Sequence, residues 1–125
     1  MDQNNILLIV DDEIFYARSL SVALKKEFRR RIIASSYDEA LEKLNTESID
    51  VALLDVRLDE DDENNKDGLR LLKWTREKKS GIKAFIMTSY TEKGYREEAL
   101  KLGAAYFFEK PIDVLEMRKI LMGGE

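Results

Sequence analysis

The sequence predicts an α/β domain in which five parallel strands alternate with five helices. Two observations support this fold class: short apolar runs recur along the chain, and helical patterns with apolar residues three and four apart separate them. The run 51–54 is apolar at every position and ends in Asp55, which is typical of a strand covered on both faces of a parallel sheet. We therefore expect one doubly wound domain over 1–125, with its core at about 6–121.

The first half of the chain is predicted to hold three strands and two helices. Apolar runs place strands at 6–10 and 32–34, ahead of the strand that ends in an acid. The first helix is predicted to extend to Phe28, and its basic end is typical of a solvated helix terminus. Ser36 and Glu39 have the spacing of a capping box, so they predict the start of the second helix.

The second half begins with an irregular segment, 56–66, that carries five successive acids at 59–63. A calcium loop would need a glycine at its sixth position and a glutamate at its twelfth, and both are missing. An exposed acidic loop is the simpler interpretation. The remaining predicted elements are a helix opened by Asp67 and Gly68, a strand at 84–87, a helix ending at Gly103, a strand at 105–108 and a helix capped by Asp113.

Composition narrows the classes of function. The formal net charge of -4 argues against direct nucleic-acid binding, which requires a basic face. The absence of cysteine and histidine excludes disulfides, thiolate metal sites and the nucleophile pairs that depend on histidine. The first apolar run is too short for a signal peptide or a membrane span, so we expect a soluble cytoplasmic protein without membrane association.

Candidate site residues follow four of the five predicted strands. In the flavodoxin-like strand order 2-1-3-4-5, the first and third strands are neighbours and ligands bind at the carboxyl edge of the sheet. This order predicts that Asp11, Asp12 and Asp55 converge in one acidic cleft. Thr88 and Lys110 should reach the same cleft from the fourth and fifth strands.

Such a cleft favours magnesium and phosphoryl chemistry. Three neighbouring carboxylates repel one another unless a cation lies among them, and Mg²⁺ accepts a few carboxylates while completing its shell with water and phosphate oxygens. Asp55 is then a candidate nucleophile that forms an acyl phosphate. The metal ion, the Lys110 ammonium and the Thr88 hydroxyl would share the developing charge.

The same residues, in the same order along the chain, resemble the response-regulator receiver domain of two-component signalling. The resemblance covers about 6–121 and rests on the following: Asp11-Asp12 after the first strand, Asp55 after the third, Thr88 after the fourth and Lys110-Pro111 after the fifth. It implies a phosphoacceptor switch whose only catalysis is its own phosphorylation and dephosphorylation. Asp55 would receive a phosphoryl group from the phosphohistidine of a sensor kinase or phosphotransfer protein.

The resemblance also implies roles for the neighbouring residues. The backbone carbonyl of Arg57 would join Asp11, Asp12 and Asp55 around Mg²⁺, and Lys110 would pair with the phosphoryl oxygens. Thr88 and Phe107 would form the switch, and the bond before Pro111 would be cis. The fourth and fifth helices and the fifth strand would form the output face, through which phosphorylation could drive homodimer formation.

The chain departs from the family pattern near the acceptor. Leu58 and Asp59 stand where the family usually has Met-Pro, and Asp67-Gly68 comes several residues late, so the intervening loop is longer. Bulky residues occupy two positions, Arg57 and Tyr90, that influence water attack in the family. They predict slow loss of the phosphoryl group, and the acidic loop is expected to affect partner choice, metal affinity or phosphoryl lifetime.

Two other classes of function remain open. A haloacid-dehalogenase-type phosphatase also uses a strand-end aspartate with Mg²⁺, but it requires Asp-x-Asp after its first strand, which the sequence at 10–13 does not supply. A degenerate receiver would act as an interaction module without phosphorylation. We expect no output domain within 1–125, whether the receiver stands alone or was excised from a longer regulator.

Overall fold

The computed structural model describes residues 5–91 and 94–123, and over this part of the chain five strands alternate with five helices. The elements are β1 (Ile6–Val10), α1 (Ile14–Ala23), β2 (Arg30–Ala34), α2 (Tyr37–Thr46), β3 (Val51–Asp55), α3 (Asp67–Lys78), β4 (Lys83–Thr88), α4 (Tyr95–Lys101), β5 (Phe107–Glu109) and α5 (Val114–Leu121). All strand pairs are parallel, and the order is β2-β1-β3-β4-β5. The predicted fold class and strand order are therefore confirmed.

Side-chain alternation along the strands gives the sheet two apolar faces. Leu7 and Ile9 point toward α1 and α5, whereas Leu8 and Val10 point toward α2, α3 and α4. All five residues of β3 are buried, as expected for a central parallel strand. Because helices cover both faces, polar groups of this strand can be approached only from its ends.

The sheet has its switch point between β1 and β3. β1 pairs with β2 on one side and with β3 on the other. The chain therefore leaves the carboxyl end of β1 toward one face of the sheet and that of β3 toward the other face. This divergence opens a crevice at the carboxyl edge. None of the described helices is long and apolar enough to cross a membrane.

The predicted extension of the first helix to Phe28 is wrong. α1 ends at Ala23, and two turns carry the chain to β2, which begins at Arg30. Arg30 and Arg31 pair with β1 in an edge strand and do not lie at a helix end. Phe28 is nevertheless fully buried beside α1, as its helical spacing had predicted. The turns after α1 direct its ring into the same core.

Caps were predicted more accurately than strand ends. Ser36 Oγ accepts the Glu39 N–H, the Asp113 carboxylate accepts N–H groups in the first turn of α5, and Gly103 has φ 98° after α4. The Glu39 carboxylate bonds the N–H of Ser35, one residue earlier than in a standard capping box. β5 begins at Phe107, two residues later than predicted.

Candidate functional site

Three carboxylates meet at the carboxyl edge, as the strand order predicts. One oxygen each from Asp11, Asp12 and Asp55 can be chosen so that all lie within 4.8 Å of one another. The Asp11 N–H donates to the Ala34 carbonyl oxygen at 3.0 Å, so pairing between β1 and β2 continues into the site. Asp11 is fully buried and Asp55 is 3% exposed. Backbone pairing, rather than flexible side chains, therefore places these acids.

Lys110 enters the cluster from the end of β5. Its Nζ lies 2.8 Å from Asp11 Oδ2, 3.4 Å from Asp55 Oδ2 and 3.3 Å from Glu13 Oε1. The backbone is held as well, since the Lys110 N–H donates to the Thr88 carbonyl oxygen at 2.9 Å, and the bond to Pro111 is cis. The ammonium group is thus fixed opposite the acids, where it can compensate additional negative charge.

Burial and mutual repulsion change the acidity of the cluster. Burial, followed by the charge of Asp11, raises the pKa of Asp55 to about 8, although Lys110 opposes this shift. Burial also raises the pKa of Asp12 to about 6, with contributions from Glu60 and Asp11. For Lys110, burial alone would lower the pKa, but Asp55 and Asp11 outweigh it and the net shift is upward. Without a cation, the site therefore resists ionisation of all three carboxyl groups.

The donor set of the cluster fits a hard divalent cation. Asp12 Oδ1 and Asp55 Oδ2 are buried and accept no hydrogen bond from any described residue, which is unusual for carboxylate oxygens. Oxygen ligands from two or three aspartates are the set that Mg²⁺ accepts in phosphoryl-transfer sites. Within residues 5–91 and 94–123 this is the single carboxylate group that meets the geometric requirement for a metal; the acids at 59–63 form none.

The predicted switch residues, Thr88 and Phe107, lie on the neighbouring strands β4 and β5. Thr88 ends β4, is fully buried, and its Oγ1 accepts the Tyr90 N–H at 3.0 Å. Phe107 is 2% exposed and packs in the core on the α4 side, with the Arg96 guanidinium 5.1 Å from its ring centre. Tyr106 precedes β5, packs on Phe108 with the ring centres 4.9 Å apart, and is 36% exposed. Of the two aromatics, Phe107 is the inward one.

Arg57 lies just after β3, and its buried side chain packs against the loop that follows β4. Its guanidinium is stacked on the Tyr90 ring, 4.1 Å from the ring centre, and donates to the Glu60 carbonyl oxygen at 2.9 Å. The Tyr90 hydroxyl donates to Glu60 Oε1 at 2.7 Å. We call these three residues the clasp. It joins the loop after β3 to the loop after β4.

The long acidic loop returns to the cleft through Asn65 and Gly68. Asn65 Oδ1 accepts the N–H groups of Leu58 and Asp67, which closes the loop on itself. Gly68 then packs directly on the end of β3: a Cβ at this position would lie 1.8 Å from the Asp55 carbonyl oxygen. The additional residues are thus accommodated between two fixed points, and α3 keeps its position against β3.

The structure brings Asp11, Asp12, Asp55 and Lys110 together, and Thr88 ends β4 with its carbonyl oxygen bonded to the Lys110 N–H. The sequence analysis did not predict two contacts near the site. Tyr16 Oη accepts the Ile112 N–H at 3.3 Å, and its ring centre is 4.7 Å from Lys110 Nζ. Glu60 reaches Tyr90, thirty residues away. The local pattern carried no signal for either contact, because each partner lies in a distant loop.

Comparison with known families agrees with this geometry. The family model described as "Response regulator receiver domain" matches residues 7–122. The chain belongs to this family, and it is a receiver domain of two-component signalling.

Two named proteins are similar to this chain in sequence. The chain is 32% identical over 115 residues to sporulation initiation phosphotransferase F of Bacillus subtilis strain 168, covering 92% of this chain and 89% of that protein. It is 34% identical over 114 residues to the transcriptional regulatory protein ZraR of Escherichia coli K12, covering 90% of this chain but 25% of ZraR. The chain thus spans about a quarter of the length of the ZraR regulators.

Solved structures show the same fold. A CheY-like receiver domain protein from Methanospirillum hungatei JF-1 superposes with a TM-score of 0.84 at 25% identity, covering 95% of this chain and 91% of that one. A response regulator from Thermotoga maritima gives a TM-score of 0.78 at 25% identity, covering 96% and 99%. These likenesses extend over nearly the full length of both partners.

Proposed function

We propose that Asp55 accepts a phosphoryl group from the phosphohistidine of a sensor kinase or phosphotransfer protein. One observation carries this proposal: a buried carboxylate at the end of the central strand lies between two further aspartates and a lysine ammonium. That constellation offers a nucleophile together with groups that compensate phosphate charge. The chain would act as a switch, with no turnover beyond its own phosphorylation and dephosphorylation.

The transfer step needs no histidine in this chain. An Asp55 oxygen forms a bond to phosphorus while the N–P bond of the donor breaks. The electron pair of the N–P bond stays on the imidazole nitrogen, which takes a proton from water. Lys110 is held within 3.4 Å of Asp55, so its ammonium would accompany the phosphoryl oxygens. The Thr88 hydroxyl would donate to one of them. Positioning and charge compensation supply the catalysis.

Asp11, Asp12, Asp55 and the Arg57 carbonyl are the groups that would hold Mg²⁺. When bound, the ion would neutralise the clustered carboxylates and draw phosphoryl charge away from phosphorus. Asp12 is the more exposed of the two aspartates that follow β1, so it would present an oxygen toward the mouth of the cleft. Asp11 would remain anchored beneath by Lys110.

Phosphorylation is tested by intact mass after incubation with acetyl phosphate and Mg²⁺. We expect a gain of one phosphoryl group in the wild type, and no gain in Asp55→Asn or in chelator. Asp61→Asn is the matched control, because Asp61 is exposed in the neighbouring loop and should be phosphorylated like the wild type. A folded wild-type protein that gains nothing would refute the proposal and favour the degenerate interaction module.

We further propose that α4, β5 and α5 form the output face, including for homodimer formation. Thr88 ends β4 beneath this face and Phe107 is buried under Arg96. Movement of the Thr88 hydroxyl toward a phosphoryl group would break the hydrogen bond that its oxygen now accepts from the Tyr90 N–H. The freed space and backbone would allow the aromatic ring and α4 to rearrange.

Thr88→Val is expected to accept phosphate but to lose the response of the output face. Valine keeps the shape of threonine and removes the hydroxyl that would bond the phosphoryl group. Hydrogen exchange of 95–101 and 107–109, measured with and without acetyl phosphate and Mg²⁺, should change in the wild type and in Thr88→Ser. An undiminished exchange response in phosphorylated Thr88→Val would contradict the role given to the hydroxyl.

A further inference from the structure

Tyr16 holds the short segment that carries Lys110 into the cleft. On the β5 side of this segment, the Lys110 N–H donates to the Thr88 carbonyl oxygen at 2.9 Å. Beyond Pro111, the Ile112 N–H donates to Tyr16 Oη at 3.3 Å. Proline has no N–H, so the first backbone donor after Lys110 is the one that Tyr16 accepts. The backbone is thereby fixed on both sides of the lysine.

Tyr16 itself lies on a rigid element. It belongs to the first turn of α1, the helix that follows Asp11 and Asp12, and its ring packs against the core on the α1 and α5 side of the sheet. Its neighbours Ala17 and Leu20 are buried in the same core. A side chain on a packed helix keeps its position better than one on a loop, so Tyr16 is suited to fix a flexible partner.

The Tyr16 ring also contacts the Lys110 ammonium group. The Nζ atom lies 4.7 Å from the ring centre, which is within the range of a cation–π contact. The Lys110 side chain is only 7% exposed, and such contacts are strongest where water is excluded. Lysine has a long flexible stem, so the ring restricts a group that its own covalent geometry leaves free.

The ammonium group has a competing carboxylate nearby. Lys110 Nζ lies 3.4 Å from Asp55 Oδ2 and 3.3 Å from Glu13 Oε1, and the Glu13 side chain is 57% exposed. Glu13 can therefore draw the ammonium group toward solvent, away from the position where phosphoryl oxygens would arrive. A contact that keeps the ammonium group beside Asp55 favours the transfer, because charge compensation depends on position.

We propose that Tyr16 is a positioning residue that holds the Lys110 ammonium group beside Asp55. Its hydroxyl fixes the backbone at Ile112, and its ring confines the ammonium group. This inference rests on the proposed phosphoacceptor function and adds a residue to it. Tyr16 acts through Lys110 and takes no part in bond making or breaking. It holds the lysine in the geometry that the transfer requires before the phosphodonor arrives.

Tyr16→Phe separates the two contacts, because it removes the hydroxyl and keeps the ring. One hydrogen bond of this kind changes a rate by about threefold to tenfold. The initial rate of phosphorylation by acetyl phosphate in saturating Mg²⁺ should fall by that factor. Tyr16→Leu also removes the ring and should slow uptake further, by about tenfold to hundredfold. Tyr37→Phe is the matched control, since this ring lies under the Arg70 guanidinium at the start of α2, and it should react like the wild type.

A double-variant cycle with Lys110→Gln tests whether Tyr16 acts through the lysine. Lys110→Gln should take up the phosphoryl group slowly, since the three aspartates remain. In that background Tyr16→Phe should change the rate by less than about twofold, because no ammonium group is left to position. If Tyr16 served only the stability of the domain, the variant would slow uptake by the same factor in both backgrounds. That result would overturn the inference.

Hydrogen exchange at the Ile112 amide is a second measurement, and it needs no phosphodonor. This proton should exchange about threefold to tenfold faster in Tyr16→Phe than in the wild type, and Tyr37→Phe should leave it unchanged. Wild-type uptake in Tyr16→Phe, or wild-type exchange at Ile112, would overturn the role of Tyr16 and leave Asp55 as the acceptor. A folded wild-type chain that gains no phosphoryl group would overturn the proposed function and this inference with it.

Discussion

Gly68→Ala is expected to destabilise the fold by more than about 3 kcal/mol and to slow phosphorylation of Asp55 by about a hundredfold or more. The added Cβ would lie 1.8 Å from the Asp55 carbonyl oxygen and 2.8 Å from the Val56 Cα. Both are backbone atoms of the acceptor strand or the residue after it, so no side-chain rotation can relieve the overlap. Either α3 or the end of β3 must shift by more than an ångström.

Urea unfolding and the initial rate with acetyl phosphate measure the two effects. Gly81→Ala is the matched control, because a Cβ there would meet nothing within 4 Å, and it should match the wild type in both assays. Wild-type stability and rate in Gly68→Ala would show that α3 does not dock as described. A stable variant with a slow rate would show that the strain falls mainly on Asp55.

The position of Gly68 illustrates what the sequence could predict. Dense apolar runs identified the strands, and adopting the flavodoxin-like order, one of the common doubly wound orders, located the carboxyl edge and its acids in advance. The Asp67-Gly68 pair was recognised as a helix start. Its contact with the Asp55 backbone was not foreseen, because nothing local to a glycine indicates which distant backbone it approaches.

The errors have a common physical origin. The helical spacing that led to Phe28 indicated correctly that this ring is buried, but periodicity cannot tell a helix from turns that point a side chain the same way. The acidic loop at 59–63 showed no pattern beyond its charge. Its contact with Tyr90 depends on how two loops approach across the sheet, and that geometry exists only after the strands have paired.

The metal-free protein is expected to lose stability as pH rises from about 5 to about 8.5, by roughly 5 kcal/mol. The pKa of Asp55 is raised to about 8 and that of Asp12 to about 6, whereas both are near 4 in the unfolded chain. Between these values the folded state binds more protons than the unfolded state. Stability is therefore complete at low pH and is lost as each carboxyl ionises in the fold.

Urea unfolding in chelator at the two pH values measures this loss, and added Mg²⁺ should reverse most of it at the higher pH. The ion binds the ionised carboxylates, so its affinity should increase as pH rises through the same range. Lys110 does not contribute to the change of stability with pH in this range, since its pKa is shifted further upward and its ammonium group stays charged.

Asp55→Asn should flatten the pH dependence and stabilise the metal-free protein by roughly 2 kcal/mol at about pH 8. The substitution removes the carboxyl with the largest upward shift while preserving its shape, and it leaves Lys110 paired with Asp11. Asp61→Asn should keep the wild-type slope. Metal-free stability that is level or increases with pH would mean that the three carboxylates are not held together. The expected gain in stability has the same origin as the proposed metal site, because three carboxyl groups held this closely ionise together only when a cation lies among them.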